Sequence, residues 1–215
     1  MEAEEIAHKS SLSMNSLNKL SELFARFPGI GQRQSKRFVY FLLSQPKAYR
    51  TELAGLIASL ESNVAMCTHC FRYFTRNGNP TKMCALCSDH NRNQELLTIV
   101  EKDVDIDAIE RAGTYEGLYV VLGGTIPILE KKPEEKIKIN ELLKRLETDA
   151  IRELILALSA TTEGDNTTDY VLKTIAPITE KKNIKVSTLG RGLSTGSEIE
   201  YADKETLKNA LKNRG

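Results

Sequence analysis

CTHCFRYFTRNGNPTKMCALC, residues 67–87, holds all four cysteines of the chain and decides how the sequence on either side is organised. The cysteines form two pairs, with two residues inside each pair and thirteen between them: Cys67, Cys70, Cys84 and Cys87. The short gap lets both sulfurs of a pair reach one ion, and the turn-forming cluster at residues 77–80 lets the chain double back. Zn²⁺ prefers four tetrahedral ligands of this kind, and a full set leaves no place for a catalytic water. The spacing therefore predicts one structural zinc ion per chain.

Two disulfides, a redox-active cysteine pair and an iron–sulfur cluster are the alternatives to zinc. The first two fit a reducing cytoplasm poorly, and a cytoplasmic protein without a membrane partner is what the sequence predicts. Residues 1–14 carry three glutamates where a signal peptide needs positive charge, and we expect a disordered tail there. No apolar run approaches the roughly 18 residues that span a bilayer. The iron–sulfur alternative stays open, and a colourless purified protein would exclude it.

Upstream of the cysteines, apolar residues recur at the spacing of three short helices. The first is expected to end near Phe27, the second to be closed by Pro46, and the third to cover residues 53–60. Pro28-Gly29-Ile30-Gly31 breaks the chain between the first two helices. The three helices are predicted to form a small unit over residues 15–62.

The turn between the first two helices has the features of a nucleic-acid contact. Its glycines allow close approach of the backbone, and the free N–H groups that start the next helix favour an anion. The predicted DNA-binding residues are Gly29, Gly31, Arg33, Lys36 and Arg37. Residues 15–88 carry ten Lys and Arg against three Glu, a local charge of +7, which favours a polyanion partner. The alternative is an ordinary interhelical turn with solvated charges.

Downstream of the cysteines, short apolar runs alternate with helical patterns. Strands of this length alternating with helices predict a mainly parallel sheet covered on both faces. Strands are expected at residues 96–101, 118–122, 154–158 and 184–189, and helices at 105–112, 139–146, 165–178 and 203–211. Asp203 is placed to cap the last helix, and Pro177 is expected near the end of the third.

Acidic side chains follow the predicted strands. Glu101 ends the first strand, and Glu163 and Asp165 follow the third. Carboxylates beyond the carboxyl ends of parallel strands could hold Mg²⁺ and support phosphoryl transfer. Asp105 and Asp107 are better explained as helix-start or solvated residues. For Glu101, Glu163 and Asp165 both interpretations stay open.

The order of these parts resembles the RecR family. The similar stretches are FPGIGQRQSKR, the cysteine frame, IVEKDVDIDAIERAGTYEGLYVVLGG, TTEGDNTTDY and GRGLSTGSEIEYADKETLKNAL, which together extend the likeness over about residues 15–215. The resemblance implies an α+β chain of several parts. These are a helix–hairpin–helix unit at 15–62, a zinc knuckle at 63–92, an α/β Toprim domain at 93–190 and a C-terminal oligomer contact at 191–215.

The family likeness also implies a function. It implies a non-catalytic homotetrameric ring around DNA that acts with RecO, and often RecF, to load RecA at gaps. It implies a nucleoid-associated cytoplasmic location. Catalytic Toprim enzymes carry an Asp-x-Asp pair where this chain has Ser159 and Thr161. Arg33 and Arg37 match basic DNA-contact positions, the four cysteines match the zinc ligands, and Glu101 matches the Toprim glutamate. Glu163 and Asp165 are candidates for a partner contact.

Two stretches depart from the family pattern. Residues 125–139, TIPILEKKPEEKIKI, replace a glycine-rich stretch, and Gln34 and Ser35 replace small residues before the second helix. The departures leave the zinc frame and the basic pair untouched. Two other functions are kept beside the DNA-repair mediator. One is a Mg²⁺-dependent nuclease or topoisomerase-like enzyme, and the other is a zinc-ribbon adaptor that binds only protein.

Overall fold

The computed structural model describes residues 16–76 and 82–214. The chain divides into two compact units, Met1–Ser62 and Asn63–Gly215. The tail expected at residues 1–14 and the turn expected at 77–80 lie outside the described residues. In the part of the chain that is described, no helix is both long and apolar enough to cross a membrane.

The first unit consists of three helices. Residues 16–24 form α1, followed by α2 (Gln32–Ser44) and α3 (Lys47–Asn63). The first helix ends at residue 24, three residues before the expected Phe27. Pro28 disfavours helical backbone at Phe27, the residue before it. Gly29 then takes a left-handed conformation with φ of 75°. The hydroxyls of Ser21 and Ser35 join the first two helices at 2.9 Å.

The second unit begins with the cysteine-bearing segment and continues as an α/β fold. A two-stranded antiparallel ribbon precedes a four-stranded sheet, and the bounds in chain order are as follows. They are β1 (Val64–Met66), β2 (Tyr73–Thr75), α4 (Ala85–Ser88), β3 (Asn93–Val100), α5 (Asp103–Ala112), β4 (Gly117–Val121), α6 (Ile139–Thr148), β5 (Glu153–Ala157), α7 (Thr162–Lys182), β6 (Lys185–Thr188) and α8 (Lys204–Lys212). Short 3₁₀ turns at Pro133–Glu135 and Ile199–Tyr201 complete the unit.

The four-stranded sheet is parallel throughout and has the order β4-β3-β5-β6. Successive side chains of a strand point to opposite faces. In β4 and in the last four residues of β3 both faces are buried. Leu97, Ile99 and Val120 pack on the side of α6 and α7. Val100 and Tyr119 pack on the other side, in a cluster that contains residues of α5 and three cysteines. The prediction of a parallel sheet with both faces covered is confirmed, and the cysteine-bearing segment is part of the cover.

The bounds expected for α7, residues 165–178, are wrong at both ends. The helix begins at Thr162, and the hydroxyl of its N-cap residue Thr161 accepts the backbone N–H of Gly164 at 3.1 Å. The helix also continues through Pro177 to Lys182. Pro177 lies on the exposed face, where water can bond the carbonyl that loses its partner, while Ile175 and Thr179 anchor the buried face on either side. The expected cap of α8 is confirmed, because the Asp203 carboxylate accepts the N–H groups of the first turn.

Candidate metal centre and nucleic-acid interface

The four cysteine sulfurs converge on one point. All four Sγ atoms lie within 4.8 Å of one another, and those of Cys70 and Cys84 are 3.5 Å apart. Cys67 follows β1, and Cys84 immediately precedes the short helix α4 that carries Cys87. The backbone N–H of Cys84 donates to the sulfur of Cys67 at 3.3 Å, which ties the two pairs together. Cys67, Cys70 and Cys84 are buried, and Cys87 is partly buried.

This sulfur cluster fits a tetrahedral metal ion. Zinc–sulfur bonds of about 2.3 Å place the sulfurs of a tetrahedron roughly 3.8 Å apart, whereas a disulfide needs about 2.05 Å. No disulfide joins the cysteines, which are all free thiols. Within the described residues, the cluster contains no histidine, carboxylate or fifth sulfur that would compete for a ligand position. Four donors and a closed shell match a structural site and leave no position for a catalytic water.

The electrostatics of the cluster favour a bound cation. Contact with the Cys67 sulfur raises the pKa of the Cys70 thiol far above its ordinary range. Contact with the Cys67 sulfur, and then with the sulfurs of Cys70 and Cys84, also raises the pKa of the Cys87 thiol. The pKa of Cys67 is instead lowered, chiefly by contact with the Cys70 sulfur. The four thiols thus share protons, and a divalent ion would supply the positive charge that four adjacent thiolates need.

The turn before α2 presents an uncapped helix start. Gly31 is the N-cap residue, and no described side chain caps its helix with a hydrogen bond. The first turn of α2 contains no acidic residue, and Arg33, Lys36 and Arg37 are all exposed. Free N–H groups and exposed cations therefore lie together, an arrangement that attracts phosphate. A Cβ atom at Gly31 would meet no other described atom within 4 Å, so internal packing does not require this glycine.

The glutamate that follows β3 is held by two neighbours. The side chain of Glu101 is only 6% exposed, and one carboxylate oxygen lies 2.6 Å from the Lys102 ammonium. The hydroxyl of Ser159 donates to the other oxygen at 2.6 Å. Burial raises the pKa of Glu101, but the hydrogen bonds from Lys102 and Ser159 outweigh it and lower the pKa overall. Both oxygens that could bind Mg²⁺ are thus occupied by groups of the chain itself.

Each of the other acidic candidates has a partner of its own. Glu163 accepts a hydrogen bond from the Thr125 hydroxyl at 3.3 Å, and Asp165 forms an ion pair with Arg191 at 2.5 Å. Asp105 accepts the backbone N–H of Lys102 at 2.7 Å in the first turn of α5, and Asp107 pairs with Arg72. Among the described residues, no three carboxylates form a group able to hold a metal ion.

Sequence reasoning missed two charged groups, the buried Arg145 and the partly buried Arg92. Arg145 lies under the cysteine-bearing segment, and Arg92 forms a bidentate ion pair with Glu110. Arg145 follows Ile139 and Leu142 at helical spacing, so the sequence pattern could have predicted its place on the apolar face of α6. No local pattern marks Arg92, because its partners lie up to 25 residues away in the chain.

Comparison with known proteins gives two family matches. Residues 95–190 match the Toprim domain, and residues 192–214 match the family described as RecR, C-terminal. The chain is 38% identical over 196 residues to the recombination protein RecR of Chloroflexus aggregans, covering 91% of each chain. It is 37% identical over 196 residues to that of Herpetosiphon aurantiacus, covering 91% of this chain and 92% of the relative. It is also 37% identical over 198 residues to that of Prochlorococcus marinus, covering 92% and 94%.

Proposed function

The chain belongs to the RecR family of recombination proteins, and we propose that it is a DNA-binding mediator of recombinational repair that does not cut DNA. The observation that carries this proposal is the helix start of α2. There, uncapped N–H groups and three exposed cations meet no acidic side chain in the first turn. Such a surface holds phosphates and not base edges, so binding is expected to be independent of sequence.

The roles of the turn residues follow from their positions. Gly29 provides the left-handed backbone that reverses the chain, and Gly31 leaves the N–H groups of α2 open. Arg33 and Arg37 are four residues apart and share a face of the helix. Arg37 is held loosely by a 3.3 Å hydrogen bond to Gln34, which leaves most of its guanidinium donors for a phosphate. Lys36 adds a third charge beside them.

A salt-graded DNA-binding experiment tests this assignment. The double variant Arg33→Ala, Arg37→Ala should weaken binding to all sequences alike and reduce the salt slope by about 2, since each arginine accounts for about one phosphate contact. A matched control removes two exposed lysines of α7, Lys173→Ala with Lys181→Ala, and so changes the net charge equally. Equal salt slopes for both double variants would contradict the assignment.

The absence of catalysis is the second part of the proposal. Ser159 and Thr161 stand where catalytic Toprim enzymes carry two metal-binding aspartates, and both have other tasks here. Ser159 donates to Glu101, and Thr161 caps α7. The Lys102 ammonium lies against Glu101 where a Mg²⁺ ion would have to bind. Positive charge from the chain thus takes the place of a metal ion, which argues against the nuclease and topoisomerase alternative.

Zinc is proposed as the structural metal, held by Cys67, Cys70, Cys84 and Cys87. When bound, it would neutralise the thiolates and fix the two cysteine pairs against each other. The proposed division of the chain is a helix–hairpin–helix unit at 15–62, a zinc knuckle at 63–92, a Toprim domain at 93–190 and a C-terminal oligomer contact at 191–215.

Two exposed apolar surfaces support self-association. Three-helix packing leaves an apolar cavity of about 440 Å³ in the first unit and several large exposed side chains, namely Phe27, Tyr40, Phe41, Leu43, Leu56, Ile57 and Leu60. The C-terminal segment of the second unit exposes another set, namely Leu189, Leu193, Ile199, Tyr201 and Leu211. Surfaces of this kind mark interaction sites. Two different surfaces that each pair with the same surface of another copy would close into a tetramer. A solution mass of four chains is therefore expected, and a monomer at all concentrations would contradict it.

RecO is the proposed protein partner, with RecF as a second, and RecA loading at gapped DNA is the proposed outcome. Glu163 and Asp165 are the candidate contact residues, because both carboxylates are exposed. Glu163→Lys should weaken co-purification with RecO without changing the thermal stability of the protein. An unchanged interaction would mean that Glu163 is not part of the RecO-binding surface.

A further inference from the structure

We propose that Arg145 is a positioning residue that couples the metal centre to the edge of the parallel sheet. The inference rests on the proposed zinc site and goes beyond it, because it assigns the tightness of metal binding to a residue that is not a ligand. Arg145 lies on α6 and is 5% exposed, although arginine is seldom buried without a specific partner.

One nitrogen of the Arg145 guanidinium joins two parts of the fold. Its Nη1 donates to the carbonyl oxygen of His69 at 3.1 Å and to that of Tyr119 at 2.6 Å. His69 lies between the ligands Cys67 and Cys70, so a hydrogen bond to its carbonyl holds the backbone that joins the first cysteine pair. Tyr119 is in β4, the edge strand of the sheet. A single donor group therefore links the cysteine pair to the sheet.

A second bond connects the same two parts. The backbone N–H of Val121 in β4 donates to the carbonyl of Cys70 at 2.8 Å. The side chains of Cys67 and Cys70 belong to the same buried cluster as Tyr119 and Val121. The first cysteine pair thus covers the edge of β4, and its position depends on the sheet as well as on the metal.

The chemistry of arginine suits this task, and that of other side chains does not. The Asp149 carboxylate accepts a hydrogen bond from Nε of Arg145 at 2.8 Å, which orients the guanidinium plane. Nη2 is buried and has no hydrogen-bond partner among the described residues, so the burial of this cation is only partly compensated. An apolar residue would fill the same space at lower cost. Lysine would carry the charge but not the planar fork that reaches the carbonyls and the carboxylate together.

Coupling of this kind has a measurable consequence. Groups that hold metal ligands in place without binding the metal affect its affinity, and their loss typically weakens binding about 10- to 100-fold. Arg145 orients the backbone between two ligands, so Arg145→Lys should weaken zinc binding within that range. A residue that only supports the sheet would instead destabilise the zinc-loaded and the zinc-free protein equally.

The test measures zinc affinity by competition with a chromophoric chelator and the melting temperature of the full chain with and without zinc. Wild type, Arg145→Lys and the control Lys144→Ala are compared, since Lys144 is the exposed neighbour on the same helix. We expect weaker zinc binding and a smaller zinc-induced gain in melting temperature for Arg145→Lys alone. Asp149→Asn, which removes the orienting carboxylate, should give a smaller loss of the same sign and serves if Arg145→Lys does not fold.

The outcomes separate the two levels of the inference. If wild type and Arg145→Lys, or Asp149→Asn where that variant is used, bind zinc equally tightly, the positioning role is overturned and the proposed zinc site stands. If the wild type binds no zinc, the metal site itself is overturned and the coupling with it. Equal losses of melting temperature with and without zinc would also overturn the coupling.

Discussion

At the scale of single residues, the partly buried ion pair of Arg92 and Glu110 is held by several contacts. Arg92 donates to both oxygens of Glu110 at 2.6 and 3.0 Å, and Tyr119 donates its hydroxyl to the same carboxylate at 2.5 Å. The guanidinium also lies 5.6 Å from the centre of the Tyr119 ring. This network ties α5 to the strand β4 that the cysteine pair covers.

Removal of the Glu110 charge should lower stability in a pH-dependent manner. The Arg92 hydrogen bond lowers the pKa of Glu110 below its ordinary value of 4.5, against the opposing effect of burial. The stabilisation is therefore fully present above that value and is lost as the pH falls through the lowered pKa. Glu110→Gln should reduce the free energy of unfolding by about 1–3 kcal/mol near pH 7, in line with hydrogen bonds to charged groups.

Denaturant unfolding of the two proteins at several pH values checks this expectation. The difference between wild type and variant should stay constant from neutral pH down to about pH 5 and shrink below it. Glu135→Gln is the control, because its ion pair with Lys132 is largely exposed and should contribute under about 0.5 kcal/mol. A difference that grows as the pH falls would refute the assigned role of Glu110.

At the scale of elements, substitutions at the start of α2 should change helix stability and DNA binding independently. Gly31→Ser introduces a good N-cap residue, so helix stability should be unchanged or slightly higher. The new hydroxyl would accept one of the N–H groups that we assign to phosphate, and DNA binding should weaken about two- to fivefold. Fluorescence anisotropy and thermal melts on the same samples measure the two effects.

Gly29→Ala provides the opposite control within the same turn. A side chain at φ of 75° costs roughly 1–2 kcal/mol, so the melting temperature of this variant should fall. If Gly31→Ser melts normally and binds DNA as tightly as wild type, the N–H groups of α2 are not the phosphate site.

Much of the element order could be predicted from sequence because apolar periodicity is a local signal. It located the four parallel strands, and a single aspartate identified the cap of α8. The errors occurred where tertiary packing overrides a local rule. The helix α7 was expected to end at residue 178, just after Pro177, but buried residues on both sides of the proline keep it intact to Lys182.

At the scale of the whole molecule, the sequence indicated the cysteine cluster but not what it covers. The two-residue spacing is sufficient to predict convergence of the sulfurs, because it follows from ligand geometry. The packing of Cys67 and Cys70 against β4 depends on bonds between residues 26 to 76 positions apart, such as those of Arg145. Contacts of that range leave no periodic trace in a single sequence.

The same distinction applies to the acidic residues. The sequence positions of Glu101, Glu163 and Asp165 were compatible with a magnesium site. The structure shows that each carboxylate has a different partner. Lys102, the direct neighbour of Glu101, neutralises the most buried of them. The proposed absence of DNA cleavage therefore depends on local pairing within the Toprim-like fold.

Incubation of the zinc-loaded protein with supercoiled and gapped circular DNA in millimolar Mg²⁺ tests the central claim most directly, with binding and strand breaks measured in the same samples. The account predicts salt-sensitive binding, with or without RecO present, and DNA recovered without new nicks. Nicking that requires Mg²⁺, co-purifies with the protein and disappears in Glu101→Gln would contradict it.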